Sequence, residues 1–449
     1  MSTKRPNLSL LALVNMSVGF FGIQHGFEIQ FARMSSIYEK LGAKPDQIPL
    51  LWLAAPATGL IIQPIIGYLS DKTWIAPLRM RRRPYFMAGA ALASMALCFM
   101  PDASSLWMAA GLLWILDASL NVTMEPFRAL VADTQNSEQR PTGYALQSLM
   151  IGLGTILGNF IASVDLNQVF PFLSRFGKDA AHLSFYACAV ILFLSVFFSV
   201  ATTPEYPPDE PFARPHEAEK LWPALKKWFA ETKDCYFHMP SAMKRLAVIQ
   251  FFTWMGLFCM WIYYSIAVAQ VVFGATNPHS ALYEQGIRWA ARTMMVKGLA
   301  APLFALCLPF LVRYIGRAYT HGLALLACGA GLFAVPWIRN PELLYLPMIA
   351  AGIGWASIVS MPYVILVEQL PAEQYGIFMG IFNMFIVIPE ILVSLGLGGV
   401  MEAFLHNNDA AVVALGGVLI LIAAALTPSL RRFEPEPAPA PEASPAAAV

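Results

Sequence analysis

The chain has 449 residues, 57% of them hydrophobic and only 13% charged, with 29 Lys and Arg against 28 Asp and Glu for a formal net charge of +1. Soluble globular proteins carry about 25% charged residues, so this composition leaves too little polar surface to face water and points to an integral membrane protein. The near-neutral balance, with no gathered basic stripe, gives no sign of a nucleic-acid partner and none is expected, and cysteines scattered at 98, 188, 235, 259, 307 and 328 form neither a metal spacing nor a disulfide framework.

A membrane helix needs about 20 mainly apolar residues. Segments of that kind occur at 8–33, 47–70, 85–101, 106–130, 142–164 and 181–202, then at 246–273, 289–312, 320–338, 342–367, 375–402 and 410–427. The prediction is an all-α membrane protein of twelve spans in two six-helix bundles, 1–202 and 246–427. MSTKRPNLSL runs into the first span without a small-residue cleavage site, so a retained helix is expected there rather than a signal peptide. Pro56 and Pro64, Pro302 and Pro309, Pro362 and Pro389 are read as bends, because neighbouring helices can re-satisfy the freed backbone groups. With the N-terminus inside, about 20 of the 29 Lys and Arg fall in inner segments, which predicts a multi-pass cell (inner) membrane protein with both termini cytoplasmic.

In span one, Gln24, His25, Glu28 and Gln30 interrupt an otherwise apolar helix. His25 and Glu28 are three residues apart, share a face and can couple their protonation. Gln24 and Gln30 are candidate substrate ligands. A hydrogen-bonded interior histidine is the plainer alternative for His25. After span two, GYLSDKTWIAPLRMRRRP (67–84) gathers basic residues in a short loop. Gly67 permits close helix contact there, and Asp71 can accept from a guanidinium such as Arg82 or Arg83, which suits a gate or scaffold.

Span four reads WILDASLNVTMEPFRALVAD (114–133). Asp117 sits about halfway along it, where inserting a carboxylate costs about 3 kcal/mol. Such a cost suits a proton-responsive group better than packing, because burial makes protonation depend on neighbours. Asn121, one turn on, shares its face and is a candidate for orienting the carboxyl or holding substrate. Glu125 and Arg128, at i and i+3, read as a gate or scaffold pair.

The interval 203–245 opens proline-rich and continues as HEAEKLWPALKKWFAETKDC, in which Leu221, Leu225, Trp228 and Phe229 can share one face; a connector lying on the inner membrane surface is expected. Span seven is strongly aromatic. Trp254, Trp261 and Tyr264 are candidate substrate contacts, with Trp355 of span ten, because rings offer sugars a flat apolar face and Tyr or Trp adds a polar edge. Arg33, Arg292 and Lys297 are candidate counter-charges, and Glu390 is a further intramembrane acid without an assigned role. Residues 428–449 are too rich in Pro and Ala to build a core and read as a disordered tail.

The halves echo each other. PFRALVAD after Pro126 parallels PYVILVEQ after Pro362, and TGYALQSLMIGLGTILG parallels YGIFMGIFNMFIVIPEIL. A six-span repeat is the mark of a two-bundle transporter with its substrate held between the halves near the membrane midplane.

The Gly-x-x-x-Asp and arginine cluster of 67–84 resembles the loop between helices two and three of the major facilitator superfamily. GIQHGFEIQF (22–31), QPIIGYLSD (63–71), RRRPYFMAG (81–89) and 114–133 together resemble its sucrose-transporter branch, the glycoside–cation symporters that include plant sucrose carriers and bacterial maltose and sucrose permeases. That resemblance implies proton-coupled uptake of a disaccharide, with Asp117 as the proton-linked acid. It also has departures. Met124-Glu125 replaces Gln-Gly of the plant carriers, Glu28 has no acidic counterpart there, and the charges those carriers place around helix seven give way to FFTWMGLFCMWIYYSIAVAQ (251–270).

The expectation is a monomeric proton–disaccharide symporter without cofactor or metal. The alternatives are sodium coupling, or export of small amphipathic compounds on the same fold. No nucleophile elbow, HExxH or phosphate loop argues for an enzyme.

Overall fold

The computed structural model describes residues 7–72, 74–75, 80–136, 138–203, 205–206, 235–367, 370 and 375–433, with 223 and 233 besides; the side chains of 72, 125, 128, 129, 132, 367 and 375–377 lie outside that description. The amphipathic segment expected within 203–245 and the side chains of Glu125 and Arg128 therefore fall outside the described residues.

Twelve long helices carry the fold. They are α1 (Leu10–Lys40), α2 (Ala54–Lys72), α3 (Arg83–Phe99), α4 (Leu106–Thr134), α5 (Arg140–Ser163) and α6 (Ala180–Thr202). The second half repeats the count with α7 (Ser241–Ala267), α8 (Ala281–Ala305), α9 (Arg317–Ala334), α10 (Tyr345–Ile358), α11 (Tyr375–Phe404) and α12 (Asp409–Leu426). Eleven helical stretches are long and apolar enough to cross a membrane, and α8 makes a twelfth when joined to Leu308–Ile315, which bends from it by 55°. Pro302 and Pro309 bracket that bend and remove backbone donors there.

Helix starts follow the local chemistry. Ser9, Ser105, Asp179, Ser280 and Asn408 each accept a hydrogen bond from a first-turn N–H. Proline inside α2, α4, α8 and α11 is tolerated because those helices pack on neighbours. Past α12 the chain does not leave the fold at 428 as expected. Thr427–Phe433 is a 3-10 helix with Leu430 fully buried, because that leucine still has apolar wall to cover.

In the first half α1 packs on α5 and α6, α3 on α4 and α6, and α2 on α4. In the second, α7 packs on α12 and α11, α9 on α12 and α10, and α8 on α10. The halves meet where α5 touches α8, α1 touches α7 and α2 touches α11. Many cross-half bonds gather at the end opposite the arginine-rich loop. Arg33 pairs with Glu284, which also meets Lys40 at 3.4 Å, and Arg288 meets Asp165 at 3.3 Å. Glu39 accepts from Tyr283 and from Gln270 at 3.0 Å, and Tyr263 donates to the Pro45 carbonyl at 2.6 Å. The two halves are thus sealed together at that end.

Candidate functional site

The polar residues of α1, α4 and α5 converge at the interface between the halves. Asp117 is fully buried on α4, and its Oδ1 accepts from Gln30 Nε2 of α1 at 2.9 Å. Among the described residues neither its Oδ2 nor the Gln30 Oε1 has a hydrogen-bond partner. Asn121, one turn along, donates to the Asp117 carbonyl at 2.9 Å and to Thr58 at 3.1 Å, and accepts from Gln63 at 2.6 Å. Gln30, Asp117, Asn121, Gln63 and Thr58 thus tie α4 to both α1 and α2. From the other half, Glu390 of α11 is buried and lies within electrostatic reach of Asp117.

Glu28 forms a second node. Its oxygens accept from Gln24 at 2.9 Å, Thr155 at 3.0 Å and Asn159 at 2.7 Å, the last two from α5. His25 is also fully buried, but these bonds turn Glu28 towards α5, and the His25 ring makes no hydrogen bond with it. The expected pairing of His25 with Glu28 is therefore not formed in this conformation.

The second half presents aromatic rings. Trp254 and Trp261 of α7 and Trp355 of α10 form a triangle, with centroids 6.1, 6.0 and 5.8 Å apart. Phe31 of α1 stacks on Trp261 at 5.0 Å and on Trp52 at 5.6 Å, joining the triangle to the first half. The Trp254 Nε1 is buried without a partner. Lys297 of α8 points its Nζ over Trp261 and Trp355, 6.0 and 5.6 Å from their centroids. Tyr264 is not brought to this group: it packs inside the second half, its hydroxyl 2.7 Å from Thr293. Of the other candidate counter-charges, Arg33 serves the sealed end and Arg292 lies exposed over Trp289.

At the arginine-rich end Arg82 is nearly fully buried. It pairs with Asp71, bonds Asp133 at 2.6 Å through Nε and donates to Ser70 at 2.9 Å. Ser70 in turn donates to the Gly67 carbonyl at 3.0 Å. Burial disfavours the Arg82 charge, but Asp133 and Asp71 outweigh it and hold the guanidinium above its usual range. Glu205 caps the start of α3, accepting from the backbone N–H of Arg81 at 2.7 Å, Arg82 at 2.8 Å and Arg83 at 3.4 Å. Every one of these bonds lies within the first half or its connector, so they brace α2, α3 and α4 as a unit.

Reading residues one at a time missed Gln63, Thr58, Thr155, Asn159 and Phe31. Thr155 and Asn159 did carry a signal, since two polar residues four apart in an apolar span share a face. Gln63 enters the sequence reading only within QPIIGYLSD (63–71), not as a polar side chain of its own.

Residues 16–394 match the model of the Major Facilitator Superfamily. The chain is 23% identical to the sucrose transport protein SUC4 of Arabidopsis thaliana over 98% of this chain and 94% of that one. It is 26% identical to the sucrose transport protein SUT2 of Oryza sativa subsp. japonica, over 89% and 90% of the two chains. The general alpha-glucoside permease of Schizosaccharomyces pombe is 23% identical over 69% of this chain and 57% of its own length. Among solved structures, a variant of the nucleoside transporter NupG superposes with a TM-score of 0.70 at 15% identity, covering 94% of this chain and 99% of that chain, a likeness of fold alone.

Proposed function

Because the chain belongs to the Major Facilitator Superfamily, a superfamily of membrane transporters, we propose that it is a proton-coupled symporter that imports a disaccharide of the sucrose or maltose class by alternating access. The observation that carries this reading is the division of labour across the interface. The first half offers carboxyls and amides, Asp117, Gln30, Asn121 and Glu28, and the second offers the Trp254, Trp261 and Trp355 rings. A sugar has an apolar face to lay on rings and hydroxyls that both donate and accept. It can therefore satisfy the unmet Asp117 Oδ2 and Gln30 Oε1 on one side and the unmet Trp254 N–H on the other. An exporter of greasy compounds would gain nothing from those polar atoms. The sugar-transporting relatives support the same class.

Asp117 is the proton-linked acid in this reading. Protonation removes its charge from a buried interface, which lets the two halves rock past one another when sugar fills the gap. A half-loaded protein leaves either a bare charge or an empty cage, so the fully loaded form isomerises more readily. The arginine-rich end faces the cytoplasm by the positive-inside rule, and the seal at the opposite end then closes the site to the outside.

The test is uptake of labelled mono- and disaccharides into reconstituted vesicles. A disaccharide should accumulate against its gradient when an inward pH gradient is imposed, and collapse of that gradient by a protonophore should abolish the accumulation. Accumulation that follows a sodium gradient instead, or transport of no sugar, would overturn the reading.

A further inference from the structure

Lys297 is 5% exposed on α8, and it makes no hydrogen bond or ion pair among the described residues. Two close helix contacts put it where it is. Gly298 lets α8 approach α5, since an added Cβ would lie 2.9 Å from Thr155 Cγ2. Gly352 lets α10 approach α8, since its Cβ would lie 2.6 Å from the Lys297 carbonyl oxygen. The ammonium consequently hangs over the Trp261 and Trp355 rings, within electrostatic reach of Glu28 on α1. Glu28 already accepts three neutral hydrogen bonds, from Gln24 and Thr155 at Oε1 and from Asn159 at Oε2. Among the described residues Lys297 donates to none of these groups, so its N–H donors lie unengaged beside two aromatic faces.

A cation on an almost wholly buried side chain with no protein acceptor forgoes charge-assisted hydrogen bonds, and a ligand oxygen that reaches it supplies them. Resting on the sugar-transport reading, we infer that Lys297 selects the substrate from the second half, donating to hydroxyl oxygens of a neutral glycoside that lies on Trp261 and Trp355. The neutrality follows from the surroundings. Asp117, Glu28 and Glu390 all belong to the same interface, and an anionic sugar would have to meet these carboxyls with only one lysine to offset them.

The experiment is equilibrium binding by calorimetry to the purified full-length protein, using maltose, sucrose and a series of their single-deoxy analogues. Lys297→Gln should weaken binding of the parent sugar by about ten-fold or more, the usual penalty for losing a charge-assisted hydrogen bond. Lys297→Arg, which keeps a cation, should retain most of the affinity. One deoxy analogue should bind wild type and Lys297→Gln equally, because the hydroxyl that needed the lysine is gone. A merely structural lysine would lower affinity for every analogue alike. Should Lys297→Gln fail to fold, Lys297→Arg decides: a guanidinium of different reach must change the rank order of the deoxy series. Parent affinity unchanged in Lys297→Gln, a uniform loss across the analogues, or an unchanged rank order in Lys297→Arg would overturn the inference. If wild type binds no disaccharide, the transport reading itself fails, and that result is visible before any variant is made.

Discussion

At Asp117 one carboxylate oxygen is bonded to Gln30 and the other is bare. An ionised carboxyl in that position is incompletely satisfied, whereas a protonated one can donate to a ligand or to a neighbouring oxygen. Replacing Asp117 with Asn keeps the shape and the bond to Gln30 but fixes the group as neutral. In vesicles Asp117→Asn should lose uphill sugar accumulation while equilibrium exchange of labelled for unlabelled sugar continues; gradient-driven accumulation at the wild-type level would refute the proton role. Trp261 stacks on Phe31 and touches both other tryptophans. Trp261→Ala should weaken sugar binding by about ten-fold, from lost ring contact of about 0.5–1.5 kcal/mol plus the lost apolar area. Binding unchanged in that variant would remove the aromatic platform from the site. Asp117, Glu28 and the tryptophans were legible because charge and aromatic content stand out against an apolar background. Gln63, Thr58 and Asn159 were not, since a neutral amide or hydroxyl in a span is ordinary until its partner on another helix is known. Tyr264 was misplaced for the converse reason: composition puts it in an aromatic stripe, but the helix turns its hydroxyl to Thr293 inside its own half.

Among elements, α1 and α8 hold the sealed end together. Arg33 is 1% exposed, also donates to the Ala162 carbonyl at 2.7 Å, and has Glu284 as its acidic partner. Removing one member of such a pair strands a buried charge, a loss of about 3–5 kcal/mol in buried pairs. Glu284→Gln should therefore bias the protein towards opening at that end. Spin labels placed at Lys44 and Glu402, exposed positions beside the point where Gly398 of α11 meets the Asp46 carbonyl, should move apart in Glu284→Gln relative to wild type. An unchanged distance distribution would show that the ion pair does not hold the seal. The helices themselves were readable from runs of apolar residues. The bend between α8 and Leu308–Ile315 was foreshadowed by its prolines, but its 55° angle depends on what each segment packs against. The continuation of ordered chain to Phe433 escaped the sequence because its anchors are few, buried Leu430 and Arg431 over the Tyr319 ring.

In the molecule as a whole, two six-helix halves meet along α1, α2 and α5 on one side and α7, α11 and α8 on the other. The repeat of PFRALVAD in PYVILVEQ announced the halves, because internal duplication leaves a trace in sequence. Which faces would meet was not legible, since every span is apolar on several sides and close approach depends on small residues such as Gly298, whose neighbour on the other half is not evident from sequence. The meeting of the α1 and α4 acids and amides with Glu390 of α11 and the tryptophans of α7 and α10 belongs to this scale too, and in the proposed transport cycle it gives rocking a chemical consequence. In the proposed cycle each swing either joins or separates these two groups of side chains.

The most direct measurement is the pH of the outer medium when sugar is added to lightly buffered vesicles carrying the protein in its inward-transporting orientation, with no imposed gradient. The medium should turn alkaline as sugar and protons enter together, and Asp117→Asn should show sugar exchange without any alkalinisation. Sugar entry by the wild type with no movement of external pH, or an undiminished pH signal in Asp117→Asn, would contradict coupling through the fourth helix.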